Sequence, residues 1–278
     1  MAIMEEEAGS KDIIAAEHVR RRRGFRFRES LMDALPAVLF LATLLAIWKV
    51  TSGFMPPVLI PSPERVVTRF ITMWSTPGFL SYAGMTVIHV ACSVAIAFML
   101  GLLVALTVQF VPLFRNAVYL RLAPFLNAFP GVGWAFLALI WLGINSPAVI
   151  FASSAALLPL AIINLGAGLK EMNSEALEMA LSFSRNRRRR IWWVMLPLMF
   201  PYMFATLRLC FGVSWQIVLV VELLSGAPGL GAVVSVARQR YWTDMIFSVV
   251  VLILIAVFVT DRLIFARLQS RIGKVYNV

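Results

Sequence analysis

Residues 87–108 read VIHVACSVAIAFMLGLLVALTV, with no charged side chain. A helix needs roughly 20 residues to cross about 30 Å of hydrocarbon, so this run is long enough to span a bilayer. Apolar strands of soluble cores run to only about 4 to 8 residues. Five more stretches share the property: Ala34–Gly53, Leu122–Ile144, Pro147–Leu169, Leu198–Val221 and Met245–Phe265. Lys49 sits near the end of the first, Arg208 inside the fifth, and Asp261 and Arg262 late in the last. Across the 278 residues 60% are apolar and 14% charged, against roughly 25% charged in a soluble domain. The 20 Phe and 8 Trp also exclude intrinsic disorder. The reading is an all-α polytopic membrane protein of about six transmembrane helices, its membrane domain covering residues 34–270.

The cations orient the chain. With the N-terminus inside, residues 1–33, the 109–121 connection, the 170–197 segment and the tail from Arg262 carry 19 Lys and Arg. The opposite face carries five: Lys49, Arg65, Arg69, Arg238 and Arg240. Short loops rich in Lys and Arg stay in the cytoplasm, so both termini are expected there, with residues 1–33 a basic segment and 271–278 a tail. Arg20–Arg23 and Arg187–Arg190 then lie near anionic lipid headgroups. The net charge of +11 forms no face for nucleic acid. Residues 1–33 are too long and too mixed in charge for a secretory leader, so the first span is expected to be retained. Cys92 and Cys210 both fall in predicted spans and read as small packing residues, not a disulfide.

The connections differ in kind. Between the first two spans, Pro56, Pro57, Pro61 and Pro63 forbid a continuous helix. A short one can restart with Ser62 as N-cap, Pro63 in first position and Glu64 at the positive end of the dipole. Val66, Val67, Phe70, Ile71 and Trp74 then share a face, as in an interfacial amphipathic helix that anchors the chain or docks a soluble partner. Spans three and four are joined by little more than Asn145 and Ser146, which predicts a tight antiparallel pair. Asn127, Pro130, Gly131 and Gly133 interrupt span three, which is tolerated only where the backbone is buried in protein or lines a wet cavity. Gly166 and Gly168 offer close helix approach.

From Gly168 to Pro197 the chain reads GLKEMNSEALEMALSFSRNRRRRIWWVMLP, too polar to insert. Leu177, Ala180 and Leu181 form an apolar edge beside Glu171, Glu175 and Glu178. A turn near Ser182–Asn186 would return Ile191, Trp192 and Trp193 to the membrane boundary. The product is either a short helix lying across the cytoplasmic face, shaped for a groove on another protein, or a plain loop.

This segment resembles the cytoplasmic signature of permease subunits of binding-protein-dependent ABC importers: Glu-Ala-Ala, three residues, Gly, nine residues, Ile, one residue, Leu-Pro. Glu178 takes the Glu position, Met179 and Ala180 the alanines, Ser184 the Gly, Val194 the Ile, and Leu196-Pro197 the close. The departures are Met179, Ser184 and Val194. Serine is penalised where a turn needs φ > 0. Leu59-Ile60-Pro61-Ser62-Pro63, Phe129-Pro130-Gly131-Val132-Gly133-Trp134 leading to Trp141-Leu142-Gly143-Ile144, and Glu222 ahead of Gly229-Leu230-Gly231 are similar to the nitrate, sulfonate and taurine branch. Together these cover about residues 58–270.

The resemblance implies a permease in the bacterial-type inner membrane that pairs with a second copy of itself. It implies two cytoplasmic ATPase subunits, holding ATP and Mg, that engage a coupling helix between spans four and five. Glu175, Ala176, Glu178, Met179, Ala180, Ser184, Leu196 and Pro197 would form that contact. A soluble extracytoplasmic binding protein would deliver substrate, with a small oxyanion such as a sulfonate, taurine, nitrate or bicarbonate preferred. The chain has no G-x-x-x-x-G-K-[ST] phosphate cradle, so it is not expected to hydrolyse ATP itself and its energy must arrive from another subunit or a gradient; the resemblance implies the former, and no catalytic residue or cofactor is assigned to this chain. His18 and His89 are its two histidines, and no Cys/His/carboxylate set has metal-ligand spacing.

Ionisable groups within spans are costly and often functional. Arg208, about three turns into span five, is a candidate lining for an anion conduit. Glu222 closes that span at the outer boundary, where a solvated or helix-capping carboxylate is expected. Asn127, Trp134, Asn164, Trp215 and Gln216 could face a transient cavity or bond between helices. His89 reads as a satisfied packing residue. The alternative class is an ion-coupled secondary transporter of a small solute, which would usually show inverted repeats with matching broken helices. No second copy of the span-three break is present.

Overall fold

The computed structural model describes residues 35–36, 38–171 and 191–269. Residues 1–33 and 271–278, and the coupling candidates Glu175, Ala176, Glu178, Met179, Ala180 and Ser184, lie outside the described residues. The described parts are helical, with no strand among them. The chain divides into two compact units, the first ending at Arg65 and the second beginning at Val66.

In the first unit α1 (Val38–Phe54) is a short apolar helix, about 25 Å long at 1.5 Å per residue. Trp48 Nε1 donates to the Pro61 carbonyl at 3.0 Å, and Lys49 pairs with Glu64. α2 (Pro63–Thr72), most of which belongs to the second unit, begins at the residue the proline pattern selects. Its apolar stripe is split: Val66 is buried, while Val67 and Ile71 are 58% and 65% exposed.

The second unit is built on α3 (Phe79–Phe110), α7 (Ser146–Glu171) and α8 (Leu196–Ser225). α3 starts eight residues before the expected Val87, because the polar Ser81, Tyr82 and Thr86 end the apolar run without ending the helix. α3 and α7 approach closely: a Cβ on Gly101 would lie 2.8 Å from Ala161 Cβ. Their shared core is rich in small residues, with Ala97 from α3, Ala148, Ala152 and Ala161 from α7, and Cys210 from α8. In lipid, where apolar burial between helices gains little, such close approach is what supplies packing energy. A second cluster around Met73, Phe79, Leu230 and Met245 and a third around Phe98, Leu165, Met195 and Met199 close the two ends of the bundle.

The third apolar stretch folds as a corner. α4 (Pro112–Asn116), a π-turn over Ala117–Leu122 and α5 (Ala123–Ala128) run up to Pro130. α6 (Gly131–Leu142) then leaves at a 78° bend. Proline lacks the N–H that would continue α5, and the Phe129 ring rests where a Cβ on Gly133 would stand. The predicted tight pair of α6 and α7 is present. Asn145 serves both ends: its Nδ2 donates to the Leu142 carbonyl at 2.6 Å, and its Oδ1 accepts from the Ala148 N–H at 2.8 Å. Gly143 turns the chain at φ 77°.

α9 (Leu230–Gln239) follows α8, and α10 (Thr243–Thr260) continues through a π-turn, Asp261–Phe265. Four helices among the described residues are long and apolar enough to cross a membrane: α3, α7, α8 and Thr243–Gln269. The bent pair is a fifth if taken as one span.

Candidate functional site

Glu222 and its neighbours form a polar knot near the C-terminal end of α8. Glu222, His89 and Thr86 are all fully buried. His89 Nδ1 donates to Glu222 Oε1 at 2.7 Å, and the Thr86 hydroxyl donates to Oε2 at 2.9 Å. The Gly231 N–H, in the first turn of α9, donates to Oε2 at 2.9 Å, and the Leu230 N–H to Thr86 Oγ1 at 2.7 Å. One carboxylate thus fastens α3, α8 and α9 and satisfies orphan donors at a helix start. Gly229 and Gly231 make room for it: a Cβ at either would collide with the Glu222 side chain. The expected solvated carboxylate is corrected here, because the Gly229–Gly231 turn folds over Glu222 and excludes water. The capping half of that expectation is what the Gly231 bond provides. His89 Nε2 has no hydrogen-bond partner among the described residues, so the imidazole is satisfied on one side only.

Arg208 sits two turns before Trp215, which is two turns before Glu222, so the three share one face of α8 at steps of about 10 Å. Three of its five guanidinium N–H groups are engaged. Nε and Nη2 grip Asp261 at 2.6 and 2.8 Å, and Nη1 donates to Gln269 Oε1 at 2.6 Å. The two side chains of the ion pair are 37% and 39% exposed. An anion arriving at Arg208 would meet the remaining Nη1 and Nη2 N–H groups beside the Asp261 carboxylate.

Trp215, Gln216 and Asp261 line a common cleft of about 520 Å³ between α8 and α10, otherwise walled by apolar side chains. Trp215 is buried with Nε1 unpaired among the described residues. Trp134 packs against the same core, edge-on to Phe129 at 5.2 Å, and its Nε1 is likewise unpaired. Asn127 is exposed at the end of α5, and Asn164 donates to the Leu160 carbonyl of its own helix at 2.8 Å. These two asparagines do not join the α8 cleft.

Leu196 and Pro197 open α8. Trp192 and Trp193, in the π-turn just before it, are 64% and 80% exposed, as suits an interfacial aromatic belt. The glycines of α7 act as the sequence suggests. A Cβ on Gly168 would lie 2.6 Å from Tyr202 Cβ, and one on Gly166 would strike the Tyr119 ring. The end of α7 and the beginning of α8 are thereby clasped on either side of residues 172–190.

Thr86, His89 and Asp261 as partners escaped the sequence reading. For Asp261 a signal existed: opposite charges embedded in two apolar helices need each other. Thr86 and His89 are three apart, hence on one helical face, but nothing in the sequence couples them to Glu222.

The family profile described as "Binding-protein-dependent transport system inner membrane component" matches residues 97–274. The chain is 27% identical over 233 residues to the taurine transport system permease protein TauC of Escherichia coli (strain K12), covering 80% of this chain and 82% of that one. It is 26% identical over 270 residues to the putative aliphatic sulfonates transport permease protein SsuC of Bacillus subtilis (strain 168), covering 96% and 95%. With the bicarbonate transport system permease protein CmpB of Synechococcus elongatus it shares 29% over 152 residues, 54% and 53% of the two chains. Among solved structures, one titled "Crystal structure of an amino acid ABC transporter with histidines" superposes with a TM-score of 0.56 at 18% identity, over 73% of this chain and 98% of that one. That likeness supports the fold.

Proposed function

This chain belongs to the family of binding-protein-dependent transport system inner membrane components, on the nitrate, sulfonate and taurine branch of ABC permeases, and on that premise we propose that it is the translocating subunit of an ATP-driven importer of a small anion. It works as a homodimer. α1 and the bent pair complete six spans, and both termini lie in the cytoplasm. Two ATPase subunits dock on the segment 170–197 through Glu175, Ala176, Glu178, Met179, Ala180 and Ser184, with Leu196 and Pro197 closing the contact. A soluble binding protein delivers a sulfonate-, taurine-, nitrate- or bicarbonate-like substrate on the other face.

The observation that carries the reading is the family match through residues 97–274, which runs across the 178–197 signature spacing. The Gly168–Tyr202 clasp supports it mechanically: a segment leaving and re-entering between two clasped helices passes displacement to both. Nucleotide-driven closure of the ATPases would then bias a two-state bundle between outward and inward access. Of the pathway candidates, Trp134, Arg208, Trp215 and Gln216 face the route, Asn127 and Asn164 flank it, and Glu222 ties the helices that frame it.

The test is uptake of labelled taurine into membrane vesicles carrying the permease, its ATPase and its binding protein. Uptake is expected to need ATP and to survive an uncoupler, and Glu178→Ala should abolish both uptake and ATPase co-purification. Uptake that ignores ATP and collapses with the proton gradient would make the protein an ion-coupled secondary transporter.

A further inference from the structure

Near the C-terminal end of α7 lies a second cleft, of about 350 Å³, bounded by the end of α3, the α4–α5 region and α7. This is within the usual size of a small-molecule site, about 300–1,000 Å³. Its floor is Tyr119, seated on the bare backbone of Gly166 and donating its hydroxyl to the Ala105 carbonyl at 3.3 Å. The π-turn Ala117–Leu122 presents that ring, a local geometry frequent at functional sites. Gln109 and Asn116 bring amide groups to the walls, and Arg115 and Lys170 bring two cations. Neither cation has an ion-pair partner among the described residues. Around this charged recess the same elements turn large apolar side chains outward, with Phe114, Leu120 and Phe125 at 56%, 71% and 73% exposure.

We propose that this cleft holds the phosphate of an anionic lipid headgroup, with Arg115 and Lys170 as its charge partners and the Phe114–Leu120–Phe125 skirt along the acyl chains. The chemistry is that of a phosphate monoanion or diester: two cations and two amides supply donors, and no acid lines the cleft. Glu171 follows Lys170 but is not part of the lining. A basic pocket between helices at the membrane boundary is the arrangement that retains acidic phospholipids. The apolar skirt favours a lipid over free phosphate, because a free ion gains nothing from it. The bound headgroup ties the π-turn to the last turn of α7, from which residues 172–190 depart. This inference is independent of the transported substrate.

The experiment is native mass spectrometry of the full chain in zwitterionic detergent, titrated with dioleoyl phosphatidylglycerol, dioleoyl phosphatidylcholine or inorganic phosphate. Phosphatidylglycerol is expected to bind better than phosphatidylcholine. Arg115→Gln with Lys170→Gln should weaken it about 25-fold, the product of about fivefold per cation. Ala167→Leu, which fills the cleft while keeping both charges, should also weaken it and guards against misfolding of the double variant. Arg238→Gln, elsewhere on the chain, should not. Competition by inorganic phosphate at comparable concentration would identify the source as the free ion and overturn the lipid assignment. Equal binding of the two lipids, or equal binding by wild type and both cleft variants, would overturn the site altogether.

Discussion

α8 carries one acid–base contact near its middle and another near its C-terminal end, and the two behave differently because water reaches only one. At Glu222 the carboxylate is fully enclosed, with three donors and no solvent. At Arg208 the bidentate pair with Asp261 stands more than a third exposed. The enclosed contact is costly to disturb, since each buried group left unpaired loses about 1–3 kcal/mol. The open one can exchange partners with water or an incoming ion.

Glu222→Ala should have the largest effect. It leaves the His89 imidazole and the Gly231 N–H without their acceptor and the Thr86 hydroxyl with only the longer bond to the Tyr82 carbonyl, so a loss of about 3 kcal/mol or more is expected. Thermal unfolding of the purified chain in detergent reads it, and an unchanged midpoint would mean the knot is not a joint. Next comes Arg208→Ala. Its unfolding midpoint should fall much less than that of Glu222→Ala, while anion-dependent uptake should fall more than stability does. Equal losses in the two assays would reduce Arg208 to a structural tie.

The smallest effect is expected at Lys49 and Glu64, both well exposed. The hydrogen bond from Lys49 holds the Glu64 carboxyl below the ordinary glutamate range. A carboxyl depressed in the folded state contributes stability above its unfolded titration range and loses it as pH falls through the folded one. Lys49→Ala should therefore leave neutral-pH stability nearly unchanged and return the Glu64 titration, followed by carboxyl NMR, toward its ordinary position.

What the sequence made legible was mostly local. Pro63 set the start of α2, Pro130 the corner, Asn145 the tight connection, and Gly166 and Gly168 the close contacts, because each acts through its own backbone or its missing Cβ. α3 and α7 are apolar on every side, so nothing in their own residues says which helix faces which. Glu222 therefore read as a boundary residue, when its surroundings come from Thr86 and His89, more than 130 positions earlier, and from a turn that folds back over it. The helix limits of α3 slipped for a different reason: Ser81 and Tyr82 end the apolar run without ending the helix.

The corner at Pro130 has a mechanical corollary. With the Phe129 ring wedged where Gly133 has no side chain, the elbow cannot unbend without evicting an aromatic group from its seat. A push along α5 is therefore turned sideways into α6, and through the Asn145 clip into α7, so that a thrust along one helix emerges as a swing of its neighbours.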